Sequence, residues 1–379
     1  MGDKAQGSVV NGGAEMSGES FGHFFLPGPT EVRRPILEAQ VGPMVGHRAA
    51  AMEAMIARIQ PGLQAIFRTE RPVYISASSA TGLMEAAVRN GVRRKVLSLV
   101  NGAFSDRFHR IAVASGLEAD RLEVEWGEVN FPEALEERLA SGEYDAVTVV
   151  HSETSTGVLN PIAELAEVAR GAGDVVLLVD AVSSLGGARV ESDLWGLDFV
   201  LTGSQKALAL PPGLAFGVAQ EGLLERAAER DDRGVYFDLL AFERNIEKNQ
   251  TPNTPAVSLI YALAAQVADI MEEGVEARWA RHQEMAARTW RWVDEMRDRG
   301  VDLSIVAPEG YRAQTVTCIR LPEGWRGPDL VAVARDRGYT IAPGYGRARD
   351  EMIRIGHMGD HTLEGLEGLL EVLEEIFTQ

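Results

Sequence analysis

Two side chains of opposite charge, Asp180 and Lys206, each follow a predicted strand and could act on one ligand. Asp180 ends an apolar, β-branched run over residues 175–179, which is typical of a buried parallel strand. Lys206 follows a second such run over residues 199–202, after a glycine that permits a tight turn. Because the carboxyl ends of adjacent parallel strands open onto one crevice, we expect the amine and the carboxylate at the same edge of the sheet.

This amine and carboxylate suit a ligand with an aldehyde for the amine and a ring nitrogen for the carboxylate, which describes pyridoxal phosphate. Lys206 would form a Schiff base with the aldehyde. Asp180 would keep the pyridinium nitrogen protonated, so that the ring accepts electrons from a substrate carbanion. Taken alone, each residue has an ordinary interpretation, since a lysine after a strand is usually a solvated surface charge and an aspartate there often caps a helix.

Three motifs surround this pair: His-Ser-Glu-Thr-Ser-Thr-Gly at 151–157, Gly-Ser-Gln-Lys at 203–206 and Pro-Pro-Gly at 211–213. Together with Asp180 they resemble the class V aminotransferases of fold type I, particularly the alanine–glyoxylate and serine–glyoxylate (serine–pyruvate) enzymes, from about Phe25 to the C-terminus. The resemblance implies an α/β protein with a mostly parallel seven-stranded sheet flanked by helices and a smaller C-terminal α+β domain. It also implies a pyridoxal-phosphate-dependent transaminase that moves an amino group from alanine or serine to glyoxylate or pyruvate.

Small residues between a predicted strand at 73–75 and a predicted helix at 83–90 form a candidate phosphate site. Backbone N–H groups and the helix dipole at such a turn favour an anion, although a serine-rich turn alone is a weak signal. In the family the same place holds the cofactor phosphate. The resemblance therefore implies contacts from Ser78, Ser79 and Ala80, mainly through backbone amides, and the cofactor contacts are expected to include Gln205 as well.

Two further cofactor contacts are implied by the resemblance. Phe104, in Asn-Gly-Ala-Phe after an apolar run, would stack on the pyridine ring, where many relatives have tryptophan. Judged alone, an aromatic residue there belongs more often to the core. Ser155 matches the family serine that hydrogen-bonds near the cofactor hydroxyl and Asp180. Glu153, in the same loop, is expected either to face the substrate or to stabilise the turn.

Three basic side chains are candidates for substrate binding. Arg354 lies in the apolar run at 352–355, and a buried guanidinium needs a carboxylate, either from a structural ion pair or from a ligand. The resemblance implies that Arg354 binds the substrate α-carboxylate in a bidentate fork. His47 and Arg48 form either a solvated cationic spot or the pocket entrance; a comparable pair in phosphoserine aminotransferases contacts the substrate phosphate across the dimer.

The polar, proline-rich stretch at 248–255 predicts a loop. It resembles the family loop that crosses to the neighbouring subunit, where a threonine caps that subunit's phosphate, and Thr254 is the matching residue. Thr251 stands where some relatives have a tyrosine. The resemblance thus implies a homodimer with shared active sites.

Composition and patterning bound the remaining possibilities. We expect a disordered tail at 1–21, a large cofactor-binding domain at 22–258 and a small domain at 259–379. The net charge of −19 and pI near 4.9 disfavour nucleic acid and anionic membranes as partners. Since neither a signal peptide nor an apolar run of about 18–20 residues is evident, we expect a cytoplasmic protein.

Three alternatives remain open. A phosphoserine or aspartate aminotransferase using 2-oxoglutarate would keep the cofactor and change the substrate. A lyase such as a cysteine desulfurase needs a thiol on a mobile loop, whereas the single cysteine, Cys318, lies in a predicted strand. A role as a hydrogenase subunit, once given to some relatives, would need cysteine clusters for iron–sulfur or nickel centres, which the sequence lacks.

Overall fold

A computed structural model describes residues 21–378, so the expected tail lies almost entirely outside the described residues. In this range the strands, in chain order, are β1 (Tyr74–Ser76), β2 (Lys95–Val100), β3 (Glu118–Glu123), β4 (Ala146–Val150), β5 (Ser152–Glu153), β6 (Val158–Leu159), β7 (Val176–Asp180), β8 (Phe199–Gly203), β9 (Ala215–Ala219), β10 (Ser304–Ile305), β11 (Thr317–Arg320), β12 (Ala342–Pro343) and β13 (Met352–Ile355). The α-helices of the same residues are α1 (Arg34–Glu38), α2 (Ala50–Phe67), α3 (Ala80–Gly91), α4 (Ala103–Ala114), α5 (Pro132–Leu139), α6 (Ile162–Gly171), α7 (Glu221–Ala228), α8 (Leu239–Ile246), α9 (Val257–Glu273), α10 (Val275–Asp298), α11 (Gly327–Asp336) and α12 (Leu363–Thr378).

The central sheet has seven strands in the order β1-β9-β8-β7-β4-β2-β3. Only β9 runs antiparallel to its neighbours, β1 and β8, and the other pairings are parallel. The strands β4, β7, β8 and β9 are buried along their whole length, as expected for a sheet that helices cover on both faces. The predicted mostly parallel α/β sheet is confirmed.

Most predicted elements agree with the structure, but one strand was placed wrongly. The helical spacing of the residues from Val275 to Met296 predicts one long helix that stops at Gly300, and this helix is α10, which ends at Asp298. The residues at 122–125 predict a strand, whereas the strand in the structure is β3, which begins four residues earlier. Because β3 lies at the edge of the sheet and carries exposed charged side chains, it has no apolar run to mark it.

The described residues form two main hydrophobic cores. The larger core surrounds the central sheet and includes the buried face of α9. The smaller core lies between the antiparallel sheet β10-β11-β13-β12 and helices α10, α11 and α12. Phe25 also lies in the smaller core, where its N–H donates to the Thr340 carbonyl at 2.7 Å and its carbonyl accepts from Gly356 N at 2.8 Å. The domain boundary at residues 258/259 stays a prediction.

Among the described residues, no helix combines the length and the apolar character needed to cross a membrane.

Candidate active site

The two reactive groups lie at one edge of the central sheet. Asp180 is the last residue of β7 and pairs with Leu201 of the adjacent parallel strand β8. Lys206 lies three residues beyond Gly203, where β8 ends. Both side chains are buried, at 2% and 8% exposure. The Asp180 carboxylate accepts a hydrogen bond from Val182 N at 2.7 Å, and its second oxygen accepts none from the residues that the structure describes.

Burial moves the pKa values of both groups toward neutrality. Removal from water raises the pKa of Asp180 to about 7, against the opposing effects of the Val182 N–H bond and the Lys206 charge. The pKa of Lys206 is lowered to about 8, mainly by removal from water and also by the nearby Arg354 charge. A lysine with such a pKa is partly unprotonated at neutral pH, as a nucleophile or general base must be.

A tight turn from the smaller core covers Lys206. The Lys206 ammonium donates to the Pro27 carbonyl, and the Phe104 ring centroid lies 5.9 Å from Nζ. Gly28 has φ +108°, and a Cβ there would lie 2.5 Å from Nζ. Only glycine therefore allows the turn to approach the lysine so closely.

The candidate phosphate site lies at the start of α3. Ser79 immediately precedes this helix and Ala80 is its first residue, so the first-turn N–H groups have no partner within the helix. The Ser78 hydroxyl is 2.8 Å from that of Ser76. The Gln205 side-chain oxygen is buried and has no hydrogen-bond partner in the described part of the chain. A Cβ added at Gly203 would come close to this oxygen and to Ala80. The backbone N–H groups at the start of α3 fit a phosphate, and Gln205 could donate to it only through its NH2 group, because the amide oxygen is an acceptor.

The loop after β4 fixes the start of α4. The fully buried Glu153 carboxylate accepts from Phe104 N at 3.1 Å, from Ser105 N at 2.9 Å and from the Ser155 hydroxyl at 2.6 Å. Ser155 Oγ also accepts from Ala103 N at 3.0 Å. Of the two roles considered for Glu153, the structure supports stabilisation of the turn and of the helix N-terminus. Ser155 makes no hydrogen bond to Asp180; its hydroxyl helps to hold the loop against α4.

Arg354 is a buried guanidinium that lacks an acidic partner among residues 21–378. It lies on β13, donates from Nε to the Pro343 carbonyl at 2.9 Å and contacts the Thr154 carbonyl from Nη1 at 3.4 Å. Its guanidinium carbon is 5.3 Å from the Tyr345 ring centroid. Burial lowers the pKa of Arg354. The alternative of a structural ion pair is therefore not observed, and the guanidinium can accept a ligand carboxylate.

Comparisons with known proteins agree with this geometry. The family model for class V aminotransferases matches residues 74–339. The chain belongs to the class V aminotransferases. It is 35% identical to the serine–glyoxylate aminotransferase of Methylorubrum extorquens and 33% identical to the L-aspartate–glyoxylate aminotransferase of Paracoccus denitrificans, and each match covers 89% of this chain and 86% of the relative. The solved alanine–glyoxylate aminotransferase of Nostoc sp. superposes with a TM-score of 0.86 at 29% identity, over 93% of this chain and 94% of that one.

Three predicted site residues of this aminotransferase, Arg48, Thr254 and His47, have no hydrogen bond to the reactive groups within the described chain. Arg48 is exposed and donates to the Gln250 side chain at 2.8 Å and to the Pro252 carbonyl at 3.2 Å. This ties it to the loop that carries the exposed Thr254. His47, half-buried, precedes Arg48. Within the described chain, no hydrogen bond or ion pair joins these residues to Lys206, Asp180 or Arg354.

Sequence reasoning missed two residues near the reactive groups, Arg107 and Tyr345. Arg107 lies one turn after Phe104 on α4, and its Nη2 donates to the Tyr345 hydroxyl at 3.2 Å. The spacing of three residues from Phe104 was the available signal, because a helix brings such residues to one face. Tyr345 lies in a loop beyond β12 and carried no comparable signal.

Cys318 lies in β11 as predicted and is buried, which raises the pKa of its thiol to about 12. A thiol with such a pKa is unreactive at neutral pH, because the thiolate is the nucleophile. Among the residues that the structure describes, no group of three or more His, Cys, Asp or Glu side chains is arranged to hold a metal ion.

Proposed function

We propose that this aminotransferase uses pyridoxal phosphate to move an amino group from alanine or serine to glyoxylate or pyruvate. The observation that carries the proposal is the buried Lys206, with its pKa near 8, at the same sheet edge as Asp180. The serine–glyoxylate and alanine–glyoxylate relatives support the choice of substrates.

The residues around Lys206 fit the cofactor. Lys206 would bond to its aldehyde carbon, and Asp180 would pair with its ring nitrogen, which supplies the counter-charge that the buried carboxyl lacks. Phe104 would cover a ring face. The phosphate would bind the α3 N-terminus through Ser78, Ser79 and Ala80, with the NH2 group of Gln205 as a further donor, and Ser155 would lie near the ring hydroxyl. When bound, the cofactor supplies an electron sink for the charge that develops at the substrate α-carbon.

The chain's own residues would position the substrate and move its proton. Arg354 would bind the α-carboxylate and so fix the α-carbon beside Lys206. The Lys206 amine, when free, would take the α-proton and return it elsewhere, which its pKa near 8 allows in both directions. Burial of both side chains would keep water from competing.

A second copy of the chain would complete each site. In this proposal Thr254 caps the partner's phosphate, and His47 and Arg48 face the partner's substrate entrance. Their surface location, with Arg48 tied to the loop that carries Thr254, supports the proposal. A cytoplasmic location remains part of it.

A dicarboxylic amino donor such as aspartate is the second candidate substrate. The relative from Paracoccus denitrificans is named for L-aspartate and glyoxylate. Among the described residues, Arg107 has no acidic partner although it lies beside Phe104.

Transamination of glyoxylate by purified holoenzyme tests the proposed function. We expect alanine or serine to be the better donor, with phosphoserine much poorer. Lys206→Arg should lower kcat by about 10³-fold or more, because it removes the base and the cofactor-bonding amine. Lys95→Arg is the matched control, since Lys95 lies at the amino end of β2, whereas Lys206 follows the carboxyl end of β8. The proposal would be overturned if both variants kept wild-type activity, or if the wild type transaminated glyoxylate with no donor.

A further inference from the structure

Arg107 is a half-buried arginine whose guanidinium charge is not neutralised by a carboxylate of the described residues. Its guanidinium carbon lies 4.7 Å from the Phe104 ring centroid, and its Nη2 donates to the Tyr345 hydroxyl at 3.2 Å. No Asp or Glu of residues 21–378 forms an ion pair with it. Arg110, on the same helix, pairs with Asp106 at 2.9 Å. In a chain with a net charge of −19, an arginine left without a carboxylate beside a candidate active site needs an explanation.

Tyr345 links Arg107 to Arg354, the second guanidinium that lacks an acidic partner among the described residues. Arg107 contacts the tyrosine hydroxyl, and Arg354 lies 5.3 Å from the centre of its ring. The two cations thus lie at different parts of one aromatic side chain. Both also lie close enough to Lys206 for their charges to help lower its pKa. Phe104 lies between Arg107 and Lys206, because its ring centroid is 4.7 Å from the Arg107 guanidinium carbon and 5.9 Å from Lys206 Nζ. Both guanidinium groups therefore lie near the reactive amine.

Two cations near one reactive amine match a ligand with two anionic groups. We propose that Arg107 binds the second carboxylate of a dicarboxylic amino acid or 2-oxo acid, of which aspartate is the simplest donor, while Arg354 holds the α-carboxylate. This inference rests on the proposed function, which assigns the α-carboxylate to Arg354. The planar fork of arginine suits a carboxylate, and the Tyr345 contact and the Phe104 ring hold that fork in place. Alanine and serine lack the second carboxylate and leave Arg107 to solvent.

The experiment compares aspartate with alanine as donors to glyoxylate, using holoenzyme of the wild type, Arg107→Gln, Arg107→Lys and the control Arg110→Gln. We expect the wild type to accept aspartate. Arg107→Gln should lower the aspartate-to-alanine ratio of kcat/KM by about 10–100-fold, mainly through KM for aspartate, because a charged hydrogen bond is lost. Arg107→Lys should recover part of the ratio, and Arg110→Gln should leave it unchanged.

Inhibition of the wild type gives a readout that does not depend on how well a variant folds. Maleate, a dicarboxylate, should compete with alanine at a concentration at least about tenfold lower than propionate does. Equal inhibition by the two acids would overturn the proposal. So would an unchanged ratio in Arg107→Gln, which would show that Arg107 only orients Phe104. Transamination of alanine without any transamination of aspartate would overturn this inference alone, whereas inactivity with every donor would overturn the proposed function itself.

Discussion

At the scale of single residues, Asp180 and Lys206 have pKa values displaced toward neutrality from opposite sides. Both shifts come mainly from burial, which disfavours the charged form of each group. Neither shift depends on a hydrogen bond between the two. A carboxyl with a pKa near 7 is ready to take a positively charged partner, and an amine with a pKa near 8 is ready to react. The pair is therefore arranged for a ligand that neutralises both.

Asp180→Asn should change both activity and the pH dependence of stability. We expect kcat to fall by about 10²–10³-fold, because the buried charge opposite the ring nitrogen is lost. In cofactor-free wild type, the raised pKa of Asp180 means that its favourable contribution is complete below the ordinary carboxyl pKa and is lost as pH rises through about 7. Between about pH 6 and pH 8, the wild type should therefore lose about 1 kcal/mol of unfolding free energy relative to Asp180→Asn. Urea denaturation at several pH values measures this.

The denaturation measurements between about pH 6 and pH 8 stay above the isoelectric point near 4.9, where the protein is least soluble. A constant difference between the two proteins over this interval would contradict a buried, largely neutral carboxyl in the cofactor-free protein.

Residue types and their local setting drew attention to Lys206, Asp180 and Arg354, because each is a charged group within or just after an apolar strand. The surrounding motifs and the family resemblance were needed to favour a cofactor and substrate site over a surface lysine, a helix cap or a structural ion pair. The same reasoning missed Arg107, for which the spacing of three residues from Phe104 was the only local signal. Arg107 lies next to other charged residues on α4, so the sequence suggests a solvent-exposed position. Its role depends on Tyr345, which is 238 residues away in the chain. Contacts of this kind follow from tertiary packing and leave no local pattern.

At the scale of elements, the segment from Phe25 to Thr30 joins the smaller core to the reactive lysine. Phe25 is hydrogen-bonded to Thr340 and Gly356, the Pro27 carbonyl accepts from Lys206, and Thr30 N donates to the Gln205 carbonyl at 2.9 Å. The segment therefore couples the packing of the small core to the orientation of Lys206.

Gly28→Ala should disrupt this turn. The new Cβ would meet the Lys206 side chain at about 2.5 Å, so that the amine must move, and we expect kcat/KM to fall by about 100-fold. Gly142→Ala is the matched control, because Gly142 also has a positive φ, +69°, but its Cβ would enter open space. Both variants should lose about 1 kcal/mol of stability through backbone strain. Equal kinetic effects of the two substitutions would show that the contact with Lys206 does not matter.

The sequence predicted elements well where burial was uniform. The strands β4, β7 and β8 are continuous apolar runs, and α10 has a clear helical period that ends near a glycine. It failed at β3, where the edge position allows charged residues. It also left the role of Glu153 open, because a buried carboxylate that caps a helix across 48 residues of sequence cannot be distinguished locally from one that faces a ligand.

At the scale of the whole molecule, one chain holds the reactive groups, whereas Thr254 and Arg48 are exposed and His47 is half-buried. If each site takes its phosphate cap from the partner, two defective variants should complement each other. Lys206→Ala removes the amine, and Thr254→Glu places a carboxylate where the partner's phosphate would bind. After subunit exchange, a mixed dimer should contain one intact site. A one-to-one mixture should thus regain about a quarter of wild-type activity.

Each variant alone is the control and should be nearly inactive. No recovery after exchange, with mixed dimers demonstrated by differently tagged subunits, would contradict sharing of the sites and would place Thr254 in its own chain's site.

The central claim, that Lys206 carries pyridoxal phosphate, is tested most directly by reductive labelling. The chain has four lysines, Lys4, Lys95, Lys206 and Lys248. Holoenzyme is treated with borohydride, digested and analysed by mass spectrometry for the lysine that carries the reduced cofactor. The account predicts stoichiometric label on Lys206 and none on the other three. Label on another lysine, or no label on a protein saturated with the cofactor, would contradict it.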